Sequence, residues 1–305
     1  MKKDLISIYN LSLDEIECVF SNAFEMKKRE KRGLAYHSLK GKALAMIFEK
    51  PSTRTRVSFE VGMLQLGGHA LFLGFNDTQM GRGESTPDTA KTLSRYVDGI
   101  MIRAFSQRTI EELAENATVP VINGLSDLLH PCQVLSDVFT LIEKKGSYKD
   151  IKVAYVGDGN NVANSWIHAA LKLGFDLAIA CPEDYGPDRD IIEIAKREAT
   201  ANIEVTDDPF RAANNSDVIY TDVWTSMGKD REREKRVKIF ENYQVNSELL
   251  SAAKPDAIVM HCLPAHRGEE ITDEVMDGPS SIVFDQAENR LHVQKAILEM
   301  LMSSS

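Results

Sequence analysis

The chain has 305 residues and a formal net charge of −10 at neutral pH, and 43% of its residues are hydrophobic, which is typical of a globular protein. The acidic balance argues against broad binding to nucleic acid or to an anionic membrane surface. No apolar run approaches the roughly 20 residues of a membrane span and the N-terminus lacks the apolar stretch of a secretory signal, so the sequence predicts a cytoplasmic protein.

The first half of the chain alternates between strand-like and helix-like segments. Ser12 and Glu15 form a capping-box pattern that opens a helix predicted to end near Gly33. The strands that follow are predicted at about 42–48, 69–73, 99–102 and 120–122. The helices that alternate with them are predicted at about 53–66, 86–96, 107–116 and 131–145.

The second half repeats this alternation and ends in an amphipathic helix, about 289–302. Its strands are predicted at about 151–156, 177–181, 203–205, 217–220, 257–260 and 281–284. Strands alternating with helices predict an α/β fold with two domains, each a parallel sheet flanked by helices.

Gly146-Ser147 marks the predicted domain boundary, which gives domains 1–146 and 147–288. The C-terminal segment, about 289–305, is expected to pack back on the first domain. Ligands of open parallel sheets collect at the carboxyl ends of the strands, and the polar motifs described next follow strand ends. We therefore expect an active site in the cleft between the two domains.

The most informative motif is Ser52-Thr53-Arg54-Thr55-Arg56, between a strand that stops at Pro51 and the start of a helix. A helix start presents unpaired backbone N–H groups and the positive end of the helix dipole. Hydroxyls add donors, and a guanidinium matches phosphate oxygens. Alternatively, Ser52 only caps the helix and the arginines are solvated, although cations are disfavoured at this helix end without an anion. The motif predicts a phosphate-binding site.

Two more candidates lie at a strand end and a helix start in the first half. Arg103 follows the strand 99–102 and is either an ordinary surface group or a second phosphate contact. Pro131 suits a first helical position, so His130 lies beside the positive helix end and is predicted to be a neutral donor to a carbonyl oxygen. Gln133 carries a second such donor and an acceptor for an NH₂ group. A capping His with a buried Gln is the alternative.

The turn Gly157-Asp158-Gly159-Asn160-Asn161 suggests an alternative function, that of a nicotinamide-linked dehydrogenase. It follows a strand and opens a helix, as a dinucleotide fingerprint does. However, Val162 stands at the third glycine position, which weakens that interpretation. We interpret the segment as a tight turn that aims Asn161 into the cleft.

Two candidates lie at strand ends in the second half. Asp222 would suit a bound ammonium group, or it could cap a helix. Leu263-Pro264 is a candidate for a strained or cis bond that would point the Cys262 thiol and the Leu263 carbonyl into a site. A dyad of His261 with Cys262 is not expected, because adjacent strand residues point to opposite faces.

Cysteines and histidines predict no metal site. The four cysteines are widely spaced, with no C-x-x-C pair, and the seven histidines form no H-E-x-x-H cluster. Reduced thiols are therefore expected, without a disulfide framework.

Together these motifs resemble the aspartate/ornithine carbamoyltransferase superfamily over essentially the whole chain, in that family's order and spacing. The Ser-Thr-Arg-Thr-Arg and His-Pro-x-Gln motifs resemble all carbamoyltransferases. The stretch from Asp222 to Ser226-Met227-Gly228 and the His261-Cys262-Leu263-Pro264 motif resemble the ornithine carbamoyltransferases within it. The resemblance implies transfer of the carbamoyl group of carbamoyl phosphate to the δ-amine of L-ornithine, giving L-citrulline and phosphate in arginine metabolism. A related enzyme acting on putrescine or an acylated ornithine is the alternative.

The resemblance also implies the site residues, by their numbers in this sequence. The implied carbamoyl phosphate contacts are Ser52, Thr53, Arg54, Thr55, Gln79, Arg103, His130, Gln133, Cys262, Leu263 and Arg290. The implied ornithine contacts are Asn161, Asp222, Ser226 and Met227. The residues implied in catalysis are Arg103, His130, Asp222 and Cys262.

No cofactor and no metal are implied, and the only partners are the two substrates and further copies of the chain. The assembly implied is a homotrimer or a multiple of trimers, in which Gln79 is lent to the neighbouring subunit's site. The loop Ser226-Met227-Gly228 and the charged run after it are predicted to be a mobile lid. A non-catalytic anion-binding module remains a rival. The direction of the pathway, assembly beyond the trimer, the proton acceptor and kinetic cooperativity are left open.

Overall fold

The computed structural model describes residues 3–225 and 232–303. The predicted α/β fold is confirmed, with two parallel sheets flanked by helices. The chain divides into two compact units: unit 1 comprises residues 1–139 and 288–305, and unit 2 comprises residues 140–287. Within the described ranges, no helix is long and apolar enough to cross a membrane.

Unit 1 is built on a four-stranded parallel sheet in the order β2-β1-β3-β4. Its strands are β1 (Ala43–Phe48), β2 (His69–Gly74), β3 (Gly99–Arg103) and β4 (Val121–Leu125). The central strand β1 is a continuous apolar run, and residues 44–48 are at most 5% exposed. A strand covered on both faces by helices requires such a run.

The helices of the first part of the chain are α1 (Leu13–Lys31), α2 (Thr53–Gln65), α3 (Thr86–Leu93), α4 (Gln107–Asn116) and α5 (Pro131–Lys145). Helices α1, α2 and α3 begin after serines whose side chains cap them, Ser12, Ser52 and Ser85. The predicted capping box of α1 is confirmed: Ser12 Oγ accepts from the Glu15 N–H, and Glu15 Oε2 accepts from the Ser12 N–H at 2.8 Å. The sequence placed the domain boundary at residue 146, whereas the units divide between residues 139 and 140, inside α5.

Unit 2 is built on a five-stranded parallel sheet in the order β7-β6-β5-β8-β9. Its strands are β5 (Lys152–Val156), β6 (Asp176–Ala180), β7 (Ile203–Thr206), β8 (Val218–Thr221) and β9 (Ile258–His261). The helices that follow α5 are α6 (Asn161–Leu173), α7 (Arg189–Glu198), α8 (Pro209–Ala213), α9 (Arg233–Phe240), α10 (Ser247–Ser251) and α11 (Asp273–Met276).

The last helix, α12 (Val283–Met302), begins earlier than predicted. The strand predicted at about 281–284 is wrong, because only Ser281 forms a bridge, to Val259, and the helix starts two residues later. A short apolar run such as Ile282-Val283-Phe284 fits a buried strand and a helix start equally well by its periodicity.

The buried histidine His168 makes the stability of unit 2 depend on pH. Burial lowers the pKa of His168 from 6.5 to about 4, and the charge of Lys172 is the second cause. In the unfolded chain the imidazole takes up a proton near pH 6.5, and in the folded chain only near pH 4. Between these values the unfolded state binds more protons than the folded state. The contribution of His168 to the unfolding free energy is therefore fully present above about pH 6.5 and is lost as the pH falls to about 4.

We therefore expect His168 to account for about 3 kcal/mol of the unfolding free energy lost between neutral pH and pH 4. Urea unfolding at pH 7.5, 6.0 and 4.5 would measure the loss. The His168→Gln variant should lose less of its own stability over the same interval. Equal losses in the two proteins would contradict the assignment.

Candidate active site

The start of α2 carries the predicted phosphate-binding motif. Ser52 caps the helix, since its Oγ accepts from the Thr55 N–H at 3.2 Å and donates to Thr55 Oγ1 at 3.1 Å. The helix has no acidic residue in its first turn, and Thr55 is fully buried. The capping interpretation is therefore correct for Ser52, and the helix start still presents positive dipole and hydroxyl groups to an anion.

Arg290 reaches the same helix start from α12. Its Nη2 donates to Thr55 Oγ1 at 3.0 Å, and the residue is only 4% exposed. The preceding residue, Asn289, is fully buried and accepts from Lys27 Nζ of α1 at 2.6 Å. The contacts of Arg290 and Asn289 thus tie α12 to α2 and to α1 within unit 1.

His130 lies among three guanidinium groups. Burial, followed by the charges of Arg290, Arg103 and Arg54, lowers the pKa of His130 well below its usual value. The lowered pKa agrees with the predicted neutral imidazole, and its causes are burial and the three arginines. Arg103 ends β3 and is itself buried. Two buried guanidiniums beside a neutral imidazole form a strongly positive site, which favours an anion.

The amide of Gln133 has a fixed orientation in this positive site. Its Nε2 donates to Asp137 Oδ1 at 2.8 Å, which uses one of the two N–H donors of the amide. Its Oε1 is buried and has no hydrogen-bond partner among the described residues. Gln133 can therefore act as the predicted acceptor for an NH₂ group.

A cavity of about 660 Å³ in unit 1 is distinct from this positive site. It is lined by Phe48, Glu49, Pro51, Phe72, Gly74, Phe75, Asn76, Asp77, Phe105, Ser106 and Thr109. Aromatic groups and two carboxylates dominate the lining, and carboxylates repel an anion. The cavity therefore does not suit the predicted phosphate ligand.

In unit 2, Asp222 is held by three donors at the end of β8. Its Oδ1 accepts from Cys262 Sγ at 2.9 Å and from the Val223 N–H at 2.8 Å. Its Oδ2 accepts from Asn160 Nδ2 at 2.7 Å. The structure therefore brings the predicted residues Asp222 and Cys262 into contact, with the thiol as the donor.

His261 does not form a dyad with Cys262, as predicted. Its Nδ1 accepts from the Leu263 N–H at 2.8 Å, so the ring proton lies on Nε2, 3.0 Å from Glu270 Oε1. The Leu263–Pro264 bond is cis, as the sequence suggested, and Leu263 has a φ of 58°, which is rare for a side chain of its size.

The turn before α6 does not suit a dinucleotide. Asn160 caps α6, because its Oδ1 accepts from the N–H groups of Val162 and Ala163, which a pyrophosphate would otherwise use. A Cβ at Gly159 would lie 2.3 Å from the backbone of Gly186 and Pro187, so this glycine permits the close approach of two loops.

We expect Gly159→Ala to destabilise unit 2 by about 1–3 kcal/mol, because the backbone of the facing loop must move. Thermal and urea unfolding would measure the effect. Gly186→Ala is the matched control, since a Cβ there would meet only Cys181 Sγ at 3.9 Å. Equal stability of the two variants would contradict the packing argument.

Three predicted site residues are described only by their position and exposure. Thr53 is the exposed first residue of α2, and Asn161 is the half-buried first residue of α6. Gln79 is exposed and precedes a short 3₁₀ helix, Met80–Arg82. Ser226 and Met227, and the lid predicted from them, lie outside the described residues.

Among the residues that the structure describes, two groups of side chains have metal-ligand chemistry, and both lie in unit 2. They are Asp222, His261 and Cys262, and His266, Glu269 and Glu270. In the first group both nitrogens of His261 already face protein partners. In the second, Glu270 faces His261, and Glu269 pairs with Arg233. These hydrogen bonds explain the two groups without an ion.

Sequence reasoning missed Asn160 as a contact of Asp222 and Asp137 as the partner of Gln133. Asn directly before a helix is a preferred cap, so the capping half of the Asn160 role was predictable. Its bond to Asp222 joins residues 62 apart in the chain, and no local pattern indicates it.

The two halves of the chain match two family models. Residues 3–143 match the carbamoyl-P binding domain of aspartate/ornithine carbamoyltransferase, and residues 149–301 match the Asp/Orn binding domain. The chain is 61% identical to an ornithine carbamoyltransferase of Syntrophus aciditrophicus over 302 residues, which cover 99% of this chain and 100% of the relative.

Solved structures are similar over the same extent. The ornithine carbamoyltransferase of Pyrococcus furiosus has a TM-score of 0.97 and 54% identity, covering 100% of this chain and 98% of that one. The anabolic ornithine carbamoyltransferase of Campylobacter jejuni has a TM-score of 0.93 and 40% identity, covering 99% and 100%. Because the family models and relatives cover nearly the whole length, the chain belongs to the aspartate/ornithine carbamoyltransferase family.

Proposed function

We propose that the protein transfers the carbamoyl group of carbamoyl phosphate to the δ-amine of L-ornithine, giving L-citrulline and phosphate. The observation that carries the proposal is the positive site of unit 1, where His130 lies among Arg54, Arg103 and Arg290. The family models support binding of the two substrates mainly by different halves of the chain, with a carbamoyl-P binding domain at residues 3–143 and an Asp/Orn binding domain at residues 149–301. The names of the full-length relatives support ornithine as the acceptor.

Carbamoyl phosphate is assigned mainly to the start of α2 and the arginines around it. The proposed contacts are Ser52, Thr53, Arg54, Thr55, Gln79, Arg103, His130, Gln133, Cys262, Leu263 and Arg290. The phosphate is assigned to the positive end of the α2 dipole, to the hydroxyls and to Arg54. Arg290 adds positive charge beside Thr55. Arg103 bridges the phosphate and the carbamoyl oxygen.

The carbamoyl group needs donors for its oxygen and acceptors for its NH₂ group. Neutral His130 donates to the oxygen without carrying a full charge, and Arg103 supplies the charge that the developing oxyanion requires. The buried Oε1 of Gln133 accepts from the NH₂ group, since its Nε2 is engaged by Asp137. The Leu263 carbonyl is the second proposed acceptor.

L-Ornithine is assigned to unit 2, with Asn161, Asp222, Ser226 and Met227 as its contacts. The Asp222 carboxylate attracts an ammonium group, and Cys262 lies 2.9 Å from it. Because the Cys262 thiol keeps its proton and donates a hydrogen bond to Asp222, Cys262 is assigned to orienting the substrate amine and not to attack as a thiolate.

In the reaction the deprotonated δ-amine attacks the carbamoyl carbon, and a C–N bond forms. The C–O bond to phosphate breaks with its electron pair on the departing phosphate, and a phosphate oxygen accepts the proton that the nitrogen loses. A lysine-like amine has a pKa of about 10.4, so the site must favour its neutral form. No cofactor is required by this chemistry, because the phosphate leaving group is already activated.

The assembly and the location of the protein are part of the proposal. We assign a homotrimer, or a multiple of trimers, in which Gln79 of one copy serves the site of its neighbour. The exposure of Gln79 is compatible with this role. The composition favours a cytoplasmic location. A role in arginine biosynthesis is supported by a Pyrococcus furiosus relative at 54% identity that is named as anabolic.

An acceptor panel tests the proposed function. The purified protein is incubated with carbamoyl phosphate and, separately, L-ornithine, putrescine and N-acetylornithine, and the carbamoylated products and phosphate are quantified. We expect citrulline with ornithine and little product with the other amines. Preference for putrescine or N-acetylornithine would overturn the assigned acceptor, and carbamoyl phosphate binding without product would indicate a binding module.

A further inference from the structure

Asn160 links the cap of α6 to the carboxylate assigned to ornithine. Its Oδ1 accepts from the N–H groups of Val162 and Ala163, at 2.9 and 3.3 Å, and from the Tyr155 hydroxyl at 3.1 Å. Three donors on one oxygen fix the orientation of the amide. Its Nδ2 must then face the other way, and it donates to Asp222 Oδ2 at 2.7 Å.

We infer that Asn160 is the positioning residue that holds the Asp222 carboxylate in the orientation that the acceptor amine requires. The inference rests on the proposed function. With the Val223 N–H and Cys262 on the other oxygen, Asp222 is oriented from three sides. A carboxylate held in this way keeps its remaining lone pairs directed at the substrate, so little ordering is needed when the amine binds.

Titratable side chains lie near Asp222. Cys262 donates to it, and a ring nitrogen of His261 lies nearby, engaged by Glu270 and the Leu263 N–H. The buried Tyr155 hydroxyl bonds to Asn160. The cation Arg236 of α9 is paired with Asp158 at 2.9 Å. Asn160 is therefore a neutral donor placed where a charge would act directly on Asp222.

Two substitutions separate this role from helix capping. Asp and Ser are both preferred caps, so Asn160→Asp and Asn160→Ser both retain an acceptor for the Val162 N–H. Asn160→Ser removes the donor to Asp222 without adding charge. Asn160→Asp replaces that donor with a carboxylate oxygen, and two facing carboxylates cannot both ionise easily.

The experiment measures kcat/KM for L-ornithine from pH 6 to 9.5 in the wild-type protein and both variants, with carbamoyl phosphate affinity as the internal control. We expect Asn160→Ser to lose activity with an unchanged pH profile. Asn160→Asp should lose about 10- to 100-fold in kcat/KM at pH 7, with its acidic limb displaced upward by about one unit or more. Carbamoyl phosphate affinity and the melting temperature should stay close to wild type in both.

Equal kcat/KM and identical pH profiles for the two variants would overturn the inference, as would an Asn160→Ser protein with wild-type activity. If Asn160→Asp does not fold, the Asn160→Ser result alone decides. A wild-type protein that makes no citrulline would instead show that the proposed function is wrong, so the two failures are distinguishable.

Discussion

Arg103→Ala is expected to lower kcat for citrulline formation by about 10²–10³-fold, the usual effect of losing one oxyanion-stabilising donor. Arg103 is buried at the end of β3, and its charge is one of three that lower the pKa of His130. The same guanidinium is assigned to the carbamoyl oxygen and to the departing phosphate. The loss should therefore appear in kcat more than in the KM for ornithine.

Steady-state kinetics with both substrates varied would measure this effect. Arg197→Ala is the matched control, because Arg197 is an exposed residue of unit 2 that pairs with Glu198. Its kinetics should be those of the wild-type protein. Circular dichroism and the melting temperature would show whether Arg103→Ala remains folded. A folded Arg103→Ala protein with near-normal kcat would remove Arg103 from the proposed chemistry.

Asp222→Asn should lower kcat/KM for ornithine by about 10²-fold or more while leaving carbamoyl phosphate affinity unchanged. The substitution removes the charge that attracts the ammonium group. It also replaces one acceptor oxygen by an NH₂ group, so either Asn160 or the pair formed by Val223 and Cys262 loses its acceptor. Unit 1 contains none of these contacts.

Calorimetric titration with carbamoyl phosphate and kinetics with ornithine would separate the two effects. Asp184→Asn is the control, since Asp184 is an exposed residue of the same unit. A parallel loss of carbamoyl phosphate affinity in Asp222→Asn would contradict the assignment of Asp222 to the acceptor alone. Unchanged ornithine kinetics would exclude Asp222 from the acceptor site.

The fold was predictable because its strands are short and almost continuously apolar. Residues 44–48 and 153–156 are buried runs between helix-like segments, which is typical of parallel sheets. The helix starts at Ser12, Ser52 and Pro131 were predictable from capping chemistry. The segment 281–284 was mispredicted, because tertiary contacts and not periodicity decide whether so short a run extends a sheet or opens a helix.

The candidate site was predictable where its residues are close together in the sequence. The residues from Ser52 to Thr55 indicate an anion site, because they place hydroxyls and a guanidinium at a helix start. Partners brought together by the fold were not predictable: Arg290 meets Thr55 across 235 positions of the chain, and Asn160 meets Asp222 across 62. The engagement of Gln133 by Asp137 is local, at one helical turn, and could have been anticipated.

The most direct test of the account is a crystal structure of the protein with carbamoyl phosphate. We predict the phosphate at the start of α2, with oxygens about 3 Å from the donors of Ser52, Arg54 and Thr55, and the carbamoyl oxygen beside Arg103 and His130. Clear density for the ligand elsewhere, with the start of α2 occupied only by solvent, would contradict the central claim.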